Sequence, residues 1–169
     1  MTTVEKRTLR NPDDTEFTLD VVHTATQKGA VVIPVLRERG MKTLFYVEQN
    51  RSAIGRRTAE FPRGTTADLD SGEAMRELLE ETGFSPDQVL SVTLIGSIFP
   101  DTGLLSTEVS VFTAIITPDA RGHEFSNGLE NDLVLRHGGY HSVINTVQKS
   151  GCGISLAALV LAERDLRNL

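Results

Sequence analysis

A single cysteine, Cys152, is all that the sequence offers for disulfide chemistry, so no internal bridge can form. No cationic start leads into an apolar stretch of signal-peptide length. The longest apolar runs, Val31 to Leu36 broken by Pro34 and Leu156 to Ala162, fall far short of the roughly 20 residues that span a bilayer. The expected setting is therefore cytoplasmic, with no transmembrane segment. Basic residues are also scarce, 17 against 23 acidic ones, for a net charge of -6. Such a surface repels nucleic acid and anionic membrane, so neither is an expected partner. A small phosphate compound is not excluded, because a divalent cation placed between it and a carboxylate reverses the local sign. There is no internal repeat or low-complexity tract, and 169 residues can bury a single domain's sizeable core but leave no room for two large domains joined by a linker.

What is present reads as alternating strands followed by helices. Residues 1–27 are polar and mixed, with Asn11-Pro12-Asp13-Asp14 as a turn and Phe17, Leu19 and Val21 alternating as in a strand. This segment is a hairpin or an arm exchanged in a dimer, and residues 28–169 form the main domain. Gly29 to Leu36 and Thr43 to Glu48 read as a hairpin around Arg37-Glu38-Arg39-Gly40. A loop carrying Arg51, Arg56 and Arg57 leads into Ala59-Glu60-Phe61-Pro62-Arg63-Gly64. The spacing then predicts a helix from Asp70 to Thr82, capped by Asp70 or Ser71 and ended by Gly83. Val89 to Phe99 and Thr107 to Thr117 are strand candidates, Pro118 to Asp132 a polar loop, and Tyr140 to Lys149 and Ser155 to Leu166 two helices divided by Gly151-Cys152-Gly153. The total is a mixed sheet, one central helix and a C-terminal helical pair.

The central helix carries the chemistry. At about 100° per residue, Glu73, Glu77, Glu80 and Glu81 share one arc, and Met75, Leu78 and Leu79 the opposite, core-facing one. Carboxylates at this spacing repel one another, and Arg76 alone does not neutralise four of them. A hard divalent cation would, and oxygen-only donors suit Mg²⁺ or Mn²⁺. The plainer reading is a solvated acidic face.

The flanking residues favour the cation. Gly64, Asp68 and then Arg76-Glu77-Leu78-x-Glu80-Glu81-x-Gly83-Phe84 resemble the signature box of the Nudix hydrolases. The second half of that box matches apart from the aromatic Phe84. In the first half Asp68 stands where the family has glutamate, and Gly64 lies two residues too close, as a shortened loop would place it. A different pairing of that loop, through Gly72-Glu73, is the alternative. Beyond the box, Asp20-Val21-Val22, Gly29-Ala30-Val31, Val47-Glu48-Gln49-Asn50-Arg51, Glu60-Phe61-Pro62-Arg63-Gly64 and Pro100-Asp101-Thr102-Gly103 are similar to landmarks of the ADP-ribose or ADP-sugar pyrophosphatase group.

The resemblance implies a Nudix α/β/α sandwich and Mg²⁺-dependent hydrolysis of a small nucleotide sugar, such as ADP-ribose, into a nucleoside monophosphate and a sugar phosphate. Alternatives are another diphosphate or triphosphate substrate, GDP-mannose among them, or a non-catalytic module that senses ADP-ribose. It implies Glu77, Glu80, Glu81 and the Arg63 carbonyl as metal ligands. Arg76 would hold Glu80 or Glu81 by a two-pronged hydrogen bond, and Arg51, Glu60, Arg63 and Gly103 would bind substrate. Glu130, or failing it Glu124, would activate water, and the protein would be a homodimer. Other features read more plainly: His137 and His141 lack a third zinc ligand, Arg56-Arg57 is a loop pair, and Cys152 is a packed thiol.

Overall fold

The computed structural model describes residues 1–120 and 132–168. Its centre is a parallel pair, β3 (Lys28–Glu38) and β8 (Glu108–Ile116), in register from Lys28 opposite Glu108 to Leu36 opposite Ile116. Because side chains alternate along a strand, each of these apolar runs feeds two cores. Ala30, Val32, Phe112, Ala114 and Ile116 face Ala74 and Leu78 of α1 (Ser71–Thr82). Val31, Ile33, Val35, Val109 and Val111 face the other way, against α2 (Tyr140–Ser150) and α3 (Gly153–Asn168). A sheet buried on both faces between helices is the α/β/α sandwich expected from the sequence.

The rest of the sheet explains how the site opens. β3 turns at Arg39 and Gly40, both in the left-handed region, into antiparallel β4 (Met41–Arg51), with Glu38 opposite Met41. Such a two-residue turn matches the natural twist of a hairpin. The strands pair only as far as Val35 and Leu44 and then diverge. On the edge of β3 so vacated lies β6 (Arg63–Thr65), paired with Gly29 to Val31. Pro34 falls in the gap between the two pairings, where a missing N–H is least costly. Beyond the divergence β4 pairs with β5 (Arg56–Glu60), and along its other edge, from Thr43 to Glu48, it pairs with β9 (Val134–Gly139). Arg56 and Arg57, expected in a loop, instead open β5, and β9 arises where the sequence pattern assigns no element. Both depend on β4 as a template, and Arg-Arg at the start of one and Gly-Gly at the end of the other hide them. β7 (Val89–Ile98) completes the far edge beside β8.

α1 forms where its local signals place it. The Asp70 carboxylate accepts the Glu73 amide at 2.9 Å, and Gly83 ends the helix at φ 68°, its amide returning to the Leu79 carbonyl. Asp70→Ala is expected to cost about 1 kcal/mol, read as a lower midpoint with unchanged slope in denaturant unfolding.

Residues 1–27 carry a separate ribbon, β1 (Thr3–Arg10) against β2 (Glu16–His23). β1 is exposed along its whole length. The ribbon is anchored by Val22, whose amide donates to Leu104 at 2.7 Å, and by His23, bonded to both Glu5 and Ser106. Val4, Leu9 and Phe17 are left in solvent, and a lone two-stranded ribbon is marginally stable at best. Among the described residues no helix is long and apolar enough to cross a membrane.

Candidate active site

The acidic arc of α1 does not behave as one solvated stripe. Glu77 and Glu81 are buried with Ala74, Leu78 and Thr82, whereas Glu80 remains exposed. The two buried glutamates, one helical turn apart, lie on the shoulder of the core face, where β6 approaches. Glu81 accepts the amide of Arg63 at 3.0 Å. Glu77 lies directly over Gly64: a Cβ added there would sit 2.0 Å from its Oε2. Only glycine permits so close an approach.

Arg76 reaches Glu80, one of its two expected partners, but not by a two-pronged bond. Its Nη1 donates to Glu80 at 2.8 Å, and its Nη2 to Glu77 at 2.6 Å, Glu73 at 3.1 Å and the Thr65 carbonyl at 3.2 Å. The fork spreads across three carboxylates instead of gripping one, and Glu81 is not among them. These bonds, Glu73's foremost, make Arg76 harder to deprotonate than a free guanidinium. Asp68 does not reach this cluster: Lys28 holds it at 2.9 Å. Glu73, in the first turn of α1, is the acid that joins Arg76 to the preceding loop, since it also accepts the Ala67 amide.

A second charged group lies on β4, β5 and β6. Glu60, 1% exposed, accepts Arg51 Nε at 2.9 Å and Nη2 at 2.7 Å, Arg63 Nε at 2.8 Å and the Thr58 hydroxyl at 2.6 Å. Burial pushes its carboxyl up, but the Arg51 bonds, the Arg63 charge and the Thr58 hydroxyl outweigh this and hold it at about 2. A lowered folded pKa stabilises the fold above the ordinary carboxylate range, a contribution lost as pH falls toward 2. Arg51 is in turn held protonated, chiefly by the bond to Glu60. Thr58 escaped the sequence reading. Its only signal is that it precedes Glu60 by two, on the same face of a strand that the sequence conceals.

The remaining candidates fall elsewhere. Glu130 and Glu124 lie outside the described residues. Gly103 lines a cavity of about 290 Å³ beneath the ribbon, with Leu9, Leu19 and Val21. Arg63 lines a different cavity, of about 310 Å³, with Phe99, Pro100, Cys152 and Ile154. His137 packs on Phe45 and His141 on Tyr140. Arg56 is tied to the Ser150 carbonyl, and Arg57 to those of Glu48 and Asp132.

Among the described residues no three His, Cys, Asp or Glu side chains are gathered closely enough to hold a metal ion. The donors are nevertheless of the right kind. Two buried carboxylates one turn apart, packed against a backbone that admits no Cβ, offer only hard oxygen, which suits Mg²⁺ and not zinc or copper.

No family model matches the sequence, and no curated protein matches it. Among solved structures, that of an ADP compounds hydrolase superposes with a TM-score of 0.72 over 99% of this chain and 88% of that one, at 16% identity. The likeness is one of fold, that of an α/β/α sandwich.

Proposed function

We propose that this chain is a Nudix-type hydrolase that splits the diphosphate of an ADP-ribose-like nucleoside diphosphate sugar into a nucleoside monophosphate and a sugar phosphate. The observation that carries this reading is the placement of Glu77 and Glu81, buried on α1 against Arg63 and Gly64. The fold shared with an ADP compounds hydrolase supports it.

In this reading Glu77, Glu80, Glu81 and the Arg63 carbonyl hold Mg²⁺, with Mn²⁺ as a substitute. The bound cation offsets the charge of the diphosphate and makes water more acidic. Arg76 keeps Glu77 and Glu80 in position, a task for which a planar fork is suited. Arg51 and Arg63 meet the phosphates. Glu130, or Glu124 in its place, takes the proton from the water that attacks one phosphorus, and the bridging oxygen leaves with the other phosphate. The protein works as a homodimer in which residues 1–27 cross to the partner, covering the apolar side chains that the ribbon exposes. Gly103, beneath the ribbon, belongs to that contact region.

A panel of ADP-ribose, GDP-mannose and nucleoside triphosphates, incubated with Mg²⁺ and analysed for products, tests the reading. ADP-ribose is expected to be cleaved fastest, and Glu81→Gln to lower kcat/KM about a thousandfold, the loss of several kcal/mol of charge stabilisation. Undiminished turnover in the Glu81→Gln protein would remove Glu81 from the ligand set. ADP-ribose bound but never hydrolysed would make the protein a sensor.

A further inference from the structure

We infer that Glu60 is a positioning residue, which locks Arg51 and Arg63 together as one two-cation fork and touches neither substrate nor metal. What the fork receives, a diphosphate, rests on the function proposed above. The clamp itself rests on the arrangement of the side chains.

An ionised carboxylate offers about four acceptor positions. In Glu60 all four are taken: two by Arg51, one by Arg63 and one by Thr58. With 1% of its surface exposed, it has no lone pair left for a ligand and no path to one. The donors are what remain open. Both Arg51 and Arg63 spend their Nε on Glu60, and Arg51 its Nη2 as well. Arg51 Nη1 and both terminal nitrogens of Arg63 donate to no described residue, and Arg63 lines the cavity shared with Phe99 and Cys152.

The charge balance points the same way. Two guanidiniums about 70% covered would repel each other if left alone, and an unpaired buried charge is costly. One carboxylate between them removes that repulsion and leaves the trio with a net charge of +1, suited to an anion. It also fixes two long, flexible side chains before the ligand arrives, so that less freedom is lost on binding. Thr58, on the same face of β5, holds the carboxylate from behind.

The test uses the full chain with three measurements: binding of inorganic diphosphate by calorimetry without metal, arginine Nε–H signals by NMR, and the kcat and KM of nucleotide-sugar hydrolysis. In the wild type two Nε–H signals, from Arg51 and Arg63, should be protected from solvent exchange. In Glu60→Gln, which keeps the shape and loses the charge, both should lose protection. Diphosphate affinity should fall about tenfold, as for a lost charged hydrogen bond, and KM should rise equally with kcat within about twofold. Unchanged affinity and unchanged signals would overturn the clamp. A fall in kcat alone, with an altered Mg²⁺ requirement, would also overturn it and make Glu60 a metal ligand. Should Glu60→Gln fail to fold, Thr58→Val decides: it removes one bond of four, and diphosphate affinity equal to wild type would refute the clamp. If no nucleotide sugar is hydrolysed at all, the proposed function fails, while the binding and NMR results still judge the clamp.

Discussion

Gly64→Ala is expected to lower the rate of diphosphate hydrolysis about a hundredfold, although it adds a single methyl group. That methyl carbon would lie 2.0, 2.3 and 2.5 Å from Oε2, Cδ and Oε1 of Glu77. Neither side can yield easily. Gly64 pairs with Ala30 in the sheet, and the Glu77 carboxylate is drawn to Arg76 at 2.6 Å. The carboxylate must move by about an ångström or more, and a displacement of that size in an active site costs about 10²-fold. Overpacking should also cost about 1–3 kcal/mol of stability. Gly72→Ala is the control, since its added carbon would meet only Asp70 Oδ1, at 3.3 Å. The two variants are compared by kcat/KM with ADP-ribose and by thermal unfolding. A Gly64→Ala enzyme as fast as wild type would show that the position of Glu77 is irrelevant to the chemistry.

Leu78→Ala should give the largest loss of stability. Leu78 is fully buried between its two functional neighbours on α1, packed with Ala30, Val32 and Phe112 of the sheet. Truncating such a leucine leaves a cavity as well as losing apolar burial, and costs about 2–5 kcal/mol. Because α1 rests on this contact, the helix that presents Glu77 and Glu81 should loosen before the rest unfolds, and hydrogen exchange in α1 should accelerate more than in β8. Leu94→Ala, on the exposed side of β7, should stay within about 0.5 kcal/mol of wild type. Equal destabilisation by both substitutions, in denaturant unfolding, would contradict the assignment of α1 to the core.

How much was legible in the sequence depended on whether the cause was local. α1 could be read nearly to the residue, because Asp70, Gly83 and the box pattern all act within a turn of the helix. The two-faced apolar runs of β3 and β8 were equally plain. β5 and β9 were not, since Arg-Arg-Thr-Ala-Glu and Val-Leu-Arg-His-Gly-Gly become strands only by pairing with β4. A helical projection marked the glutamates as one stripe, but it could not show that β6 approaches one shoulder and buries Glu77 and Glu81 while Glu80 stays out. The partners of Arg76 depend on side-chain conformation and on Thr65, neither of which is written in spacing. Glu60 was recognisable as a candidate by position alone, and its four bonds come from three side chains on β4, β5 and β6.

The parallel pairing of β3 and β8 has a kinetic consequence. Arg51, Glu60, Arg63 and the whole of α1 lie within the crossover that this pairing closes. The β3–β4 hairpin can form as soon as it is synthesised, but the central ladder waits until Ile116 has joined the chain. Contacts between segments so distant in sequence form slowly, because the intervening loop must be ordered first. The carboxylates and arginines are thus expected to reach their final places only once this long-range pairing has closed. Substitutions at the β3–β8 contact, such as those of Val32 or Phe112, should therefore delay the appearance of a competent site far more than that of the hairpin.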